Sequence, residues 1–215
     1  MNKDSLSALS TPPVEGNRGK SDANVVSQDF AETLITSRQN VSPKRLVAPG
    51  PDAEQIERLF RAAASAPDHG LQTPWRFIVI PAEKRIQLGD VFAAALRERD
   101  PNASLEELES ARAKAQRAPL LIVAIARLGP CKPHIPVLER MVSVGCAIQN
   151  ILLTAHGMAF GSGLASGRAM ESPHMRQLFK LQPGEEAVCF INVGTVSKPK
   201  APRVRPETTV FVSSL

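Results

Sequence analysis

Apolar residues recur along this chain with two periods, and the switches between them divide it into elements. Ile56, Leu59, Phe60 and Ala63 follow at helical spacing behind Asp52 and Gln55, which form a capping-box pattern. The spacing predicts a helix that stops before Pro67, since a proline turns the residue before it away from helical geometry. Residues 76–80 read as a compact strand and 83–99 as the next helix. Ser104 with Glu107 repeats the capping-box pattern and opens a charged helix to about Arg117. The unbroken apolar run 120–126 predicts a buried strand. A long helix is expected over roughly 135–160, a turn and short strand in 161–167, a short helix around 172–179, and the strongest strand over 186–196. Residues 32–37 read as a short helix and 208–214 as a terminal strand. That last strand has no hairpin partner close in sequence and follows a proline-rich stretch, so it is expected to reach another subunit.

Strands and helices mix here without strict alternation. The implied fold class is α+β, a central mixed or antiparallel sheet flanked by helices. A length of 215 residues fits one domain plus a tail, and 43% hydrophobic residues suffice for a core. With aromatics at 4%, that core must be mostly Ala, Leu, Val and Ile. Residues 1–30 are rich in Ser, Pro, Gly, Asn and Asp and lack an apolar h-region, so they read as a flexible arm rather than a secretory signal. The domain is then 31–215.

From Met141 to Gly167 no residue carries a formal charge, which raises the question of a membrane span. Ser143, Gln149, Asn150, Thr154, His156 and glycines at 145, 157, 161 and 163 make the run too polar and too broken. No membrane is expected, and the chain reads as cytoplasmic. Cys131, Cys146 and Cys189 lie far apart without a C-x-x-C pair, which excludes a disulfide framework and a structural zinc site and suits a reducing compartment.

Four segments carry candidate chemistry. "SRQNVSPKR" sets Arg38, Lys44 and Arg45 around Gln39 and Asn40, a set that either grips an anion or forms a solvated loop. "SKPKAPRVRP" brings Lys198, Lys200, Arg203 and Arg205 directly after a strand. It reads as phosphate capture or an extended linker, and less well as a nucleic-acid tail, because no aromatic platform interleaves with the charges. The net charge of +5 favours anionic partners without naming one. "GSGLASG" does not fit G-x-G-x-x-G and follows a helix rather than a strand. Its small residues suit either close backbone approach to a flat ligand or tight packing. His69 beside Asp68 suits a carboxylate-oriented base, whereas His134, His156 and His174 are dispersed without metal-ligand spacing. No nucleophile pattern is present, and no metal is expected.

Taken in order, "SRQN", "APDHGLQTPWRFIVI", "VGCAIQNILLTAHGMAFGSGLASG" and "VGTV…KPKAPRVRP" resemble the FMN-dependent nitroreductase family, in its compact single-domain bacterial branch, from about Thr33 to the C-terminus. The resemblance implies a nitroreductase-like fold and a homodimer with FMN at the subunit interface and extended, exchanged termini. It also implies NADH or NADPH as reductant and ping-pong hydride transfer to a nitroaromatic, quinone or similar small acceptor. Cofactor-binding roles fall on Arg38, Gln39 and Asn40 at the phosphate and ring, and on Ser65, Pro67, Asp68 and His69 in the loop that ends at Trp75. They fall also on Leu164, Ala165 and Ser166 at the reactive edge, and on Arg203 or Arg205 as further phosphate partners. No side chain is assigned a catalytic role, because a flavin supplies the redox centre.

Three departures stand out. Gln39 and Asn40 follow Arg38 where many members have Arg-Ser, which removes one phosphate charge. Leu71 and Thr73 replace the Asn and Gln that many members place before the Pro-Trp pair. Leu164 and Ala165 stand where the nearest branch has Trp-Arg. The competing readings are a specialised flavoenzyme of the same fold, dehalogenating a substrate or fragmenting its flavin, and a non-catalytic flavin-binding protein.

Overall fold

The computed structural model describes residues 29–201 and 203–215, so the expected arm over 1–30 lies almost wholly outside the described residues. The chain divides into two units after Thr36. Residues 29–36 of the first are helical, in a helix that runs 29–37 (α1), where Thr36 Oγ1 donates to Glu32 O at 2.8 Å. All that follows concerns Ser37–Leu215.

An antiparallel five-stranded sheet organises this unit. Its strands are β1 (Leu46–Val47), β2 (Trp75–Val79), β3 (Leu120–Arg127), β4 (Gly161–Ala165) and β5 (Glu185–Val196). The order is β1-β5-β3-β2, with β4 also pairing β5. Central β5 opposes Leu120 with its Val193, Gly161 with Gly194, and Leu46 with Val196.

The two-residue period of β3 decides which helices cover which face. Leu120, Ile122, Ala124 and Ala126 join Leu59 and Ala63 of α2 (Ala53–Ala64) and Val144, Ile148 and Ile151 of α5 (Val137–Gly157) in one core. Leu121, Val123 and Ile125 point the other way, into a second core with Leu88 of α3 (Arg85–Arg99) and Met175 of α6 (Pro173–Leu178). The helix α4 (Leu105–Ala113) packs outside α3 through Leu108. Both capping boxes are formed: Asp52 accepts from Gln55 N–H at 2.8 Å, and Ser104 Oγ accepts from Glu107 N–H at 3.2 Å.

The long helix α5 (Val137–Gly157) is long and apolar enough by composition to cross a membrane. Its inward residues instead fill the core over β3, and Asn150 Nδ2 donates to Ala62 O of α2 at 3.0 Å. Trp75 is core as well: it opens β2 opposite Ala126 and is 8% exposed among residues of α2 and α5. The loop before it is shaped by Asp68, whose carboxylate accepts the N–H of Gln72 at 3.0 Å and of Thr73 at 2.7 Å.

One expected element is absent. Residues 208–214 form no strand; Thr208–Val210 is a single 3₁₀ turn in which Phe211 and Val212 N–H return to Thr208 O. The β-branched run has strand propensity, but propensity needs a paired neighbour to be expressed, and no described strand pairs with this segment.

Candidate functional site

The segment leaving α1 is stitched onto β4 by backbone and side-chain bonds. Val41 N–H donates to Ser162 O at 2.9 Å, and Leu164 N–H donates to Asn40 Oδ1 at 3.0 Å. Gly163 makes this approach possible, since a Cβ there would stand 2.1 Å from Val41 O. At the far end of β5, Ser197 N–H and Oγ both donate to Arg45 O, at 2.9 and 3.1 Å. The chain beyond Ser197 therefore leaves alongside Lys44 and Arg45.

These three segments enclose a cavity of about 800 Å³, within the usual range of small-ligand sites. Arg38, Lys44, Arg45, Lys198 and Lys200 line it, and among the described residues no Asp or Glu does. Its floor is Ser162, 2% exposed, with Gly161 beside it. Arg38 Nε, Arg38 Nη1 and Ser162 Oγ are buried without a hydrogen-bond partner. Among the described residues, only one other buried side-chain nitrogen or oxygen, Arg140 Nε, shares that condition. Unpaired buried donors are costly, so three at one cavity indicate a site built for a group the chain does not supply. Burial, and secondly the charge of Arg205, pull the Arg38 guanidinium below its ordinary pKa. Arg205 itself donates from Nη2 to Arg38 O at 2.9 Å. The charge of such a cavity suits an anion.

A second cavity, of about 480 Å³, opens at the other end of β4 and includes Ala165 and Ser166. Leu164 sits between the two, 41% exposed, its N–H fixed by Asn40. Buried Asn192 of β5 lines the second cavity and donates to Gly163 O at 3.4 Å.

Arg38, Gln39 and Asn40 line the first cavity, and Ala165 and Ser166 line the second. Arg205 touches Arg38 without lining the cavity, and Arg203 is exposed. Ser65, Pro67, Asp68 and His69 line neither cavity. Ser65 caps α2, with Oγ donating to Arg61 O at 3.3 Å. Asp68 is occupied by its own loop and does not orient His69, whose Nδ1 lies 2.5 Å from Glu139 Oε1. Sequence reasoning did not single out Ser162 or Asn192. Ser162 lies on a strand whose glycine neighbours drew the eye, and the only available signal was a polar residue facing a core.

Comparison with known proteins follows the same lines. The family model described as "Nitroreductase family" matches residues 38–195. A Haemophilus influenzae protein named "Putative NAD(P)H nitroreductase" is 36% identical over 165 residues, covering 77% of this chain and 88% of its own. Among solved structures, a nitroreductase-like family protein from Bacillus cereus superposes with a TM-score of 0.68 at 20% identity, covering 86% of this chain and 95% of its own. A nitroreductase with bound FMN from Bacteroides fragilis superposes with a TM-score of 0.64 at 14% identity, covering 86% and 97%.

Proposed function

The chain belongs to the nitroreductase family, and from that premise we propose that it is an FMN-dependent NAD(P)H oxidoreductase. Its acceptors are nitroaromatics, quinones or similar small molecules, and its kinetics are ping-pong. The observation that carries this reading is the set of orphaned donors, Arg38 Nε and Nη1 and Ser162 Oγ, at a cavity lined, among the described residues, by five cations and no acid. That donor set fits a dianionic phosphate, which would satisfy each donor and reverse the depression of the Arg38 pKa. The charge lost at Gln39 is made good by Lys44, Arg45, Lys198 and Lys200, all on the same cavity.

In this reading Arg38 and the lysines hold the phosphate end, while β4 runs from that end toward the reactive edge. When bound, FMN would supply the two-electron chemistry, taking hydride from NAD(P)H and giving it to the acceptor. The chain's part is orientation. Asn40 fixes the Leu164 N–H and with it the course of Leu164, Ala165 and Ser166. Asn192 braces the same strand from beneath through Gly163 O.

A homodimer completes the proposal. Helix α5 leaves Leu138 82% and Val142 64% exposed on its outer side, an apolar stripe that suits a second copy. Because Ser65–His69 line neither cavity of their own chain, their cofactor contacts would be made across the interface.

The test is the visible absorbance of freshly purified protein, before and after addition of FMN and then NADPH without oxygen. Flavin bands that bleach on NADPH support the reading. A colourless protein that takes up no FMN overturns it, and a yellow one that NAD(P)H never bleaches is a carrier instead. Light scattering across a concentration series reports the dimer.

A further inference from the structure

Resting on the oxidoreductase reading, we propose that the 480 Å³ cavity beyond Ala165 is the acceptor pocket and that it selects small aromatic acceptors carrying an anionic substituent. Its floor is apolar: Phe92 of α3 meets Phe190 of β5 edge to face, with ring centroids 5.6 Å apart, and Met170 lies beside them. Its rim is cationic. Arg99 closes α3, Lys114 and Arg117 belong to the turn after α4, and Arg168 follows β4.

Among the described residues no Asp or Glu lines this cavity and none of the four cations forms an ion pair. Carboxylates are close by but engaged elsewhere. Asp90 and Glu109 pair with Arg112 at 3.0 and 2.6 Å, and Glu98 pairs with His174 at 3.5 Å. Like charges gathered without counter-ions repel one another, and a bound anion relieves that repulsion. An aromatic floor under a cationic rim therefore fits a flat ring bearing a carboxylate or sulfonate. The size agrees, since about 300–1,000 Å³ is usual for small-ligand pockets and this one lies near the low end. In the reaction served, one hydride from NAD(P)H and one proton convert a nitro group to nitroso with release of water.

Steady-state assays with 4-nitrobenzoate and nitrobenzene test this. The native protein should show a higher kcat/KM for the anion, with the ratio of the two falling as salt is raised. K114E/R117E should lower that ratio at least about fivefold. R99Q/R168Q should lower it in the same direction and serves if the first variant fails to fold. Calorimetric titration with 4-nitrobenzoate, without reductant, should show matching losses of affinity. A ratio unchanged in folded variants overturns the proposal. So does a rise in KM for NADPH but not NADH with the ratio intact, which would give the cations to the reductant's phosphate. If the protein takes up no flavin yet binds 4-nitrobenzoate through these cations, the pocket stands and the oxidoreductase reading falls. If it is a flavin reductase with an unaffected ratio, the reverse holds.

Discussion

Asn40 accepts the Leu164 N–H at 3.0 Å across 124 residues of sequence, so one amide side chain joins the end of the first cavity to the start of the second. The acceptor oxygen does the structural part, which separates it from charge. Asn40→Asp keeps an acceptor for Leu164 while adding a negative charge beside Arg38, Lys44 and Lys198. Thermal stability of the apo protein should therefore hold or rise, while the Kd for FMN rises about tenfold through repulsion of its phosphate. Paired thermal scans and flavin fluorescence titrations check this. A fall in apo stability with unchanged FMN affinity would reduce Asn40 to a strut.

Arg38 offers a sharper contrast. Two of its donors are buried and unpaired, so the apo fold gains nothing from them. Arg38→Ala should leave the apo melting temperature near native and weaken FMN by roughly 10- to 100-fold, the worth of a charge-assisted hydrogen bond. The increase in melting temperature that FMN confers on the native protein should shrink accordingly. An apo protein that loses several degrees would show Arg38 to be structural.

Much of the fold was legible because its signals are local. The capping boxes at Asp52 and Ser104 and the apolar run of β3 each name an element without reference to the rest. The terminal 208–214 segment misled for the opposite reason: strand formation depends on a partner edge that local propensity does not encode. The site divides in the same way. Arg38 and Asn40 were legible as a cation beside amides. Ser162 was not, nor was which of Lys198, Lys200, Arg203 and Arg205 would line the cavity, because both depend on β4 and the exit of β5 meeting the 38–45 segment. The Asp68–His69 pairing failed because adjacency in sequence says nothing of direction: the carboxylate turned inward to its own loop.

Gly163 tests the close approach itself. A methyl group there meets Val41 O at 2.1 Å, and the obstacle is backbone, which cannot swing aside. Gly163→Ala should cost about 2–3 kcal/mol of folding stability. Gly167→Ala, where a Cβ meets nothing within 4 Å, should stay within about 0.5 kcal/mol of native. Urea denaturation of both variants decides it, and equal losses would mean the 38–45 segment yields freely.

Glu185 offers a test of stability in acid. Its carboxylate, 9% exposed, accepts from Arg76 Nε at 3.0 Å and Nη2 at 2.6 Å, with Arg127 at 3.6 Å. The Arg76 hydrogen bonds hold its pKa below the ordinary 4.5 against the opposing effect of burial, helped by the Gln182 N–H. A carboxylate depressed in the folded state contributes stability that is fully present above its unfolded pKa and lost as pH falls through the folded one. Glu185→Gln should cost about 2–3 kcal/mol at neutral pH by leaving Arg76 underpaired, and should flatten the decline below pH 4.5. Denaturant melts across that range measure the slope, and an unaltered decline would assign acid sensitivity to other carboxylates.

Ala165 lies where the proposed flavin edge and acceptor pocket meet, opposite Phe190 in the β4–β5 register and on the wall of the second cavity. Its methyl leaves that wall open; an indole would project over the floor formed by Phe92 and Phe190. Ala165→Trp should therefore discriminate by acceptor size. The kcat/KM for two-ring quinones should fall by roughly tenfold or more, and that for one-ring nitroaromatics should fall less, since each displaced or clashing carbon in such a pocket is worth about 1–3 kcal/mol. A panel of acceptors run at fixed NADPH reads this directly. Uniform loss across the panel, accompanied by loss of bound FMN, would place the Ala165 side chain against the cofactor instead of the acceptor and would move the pocket boundary to Ser166.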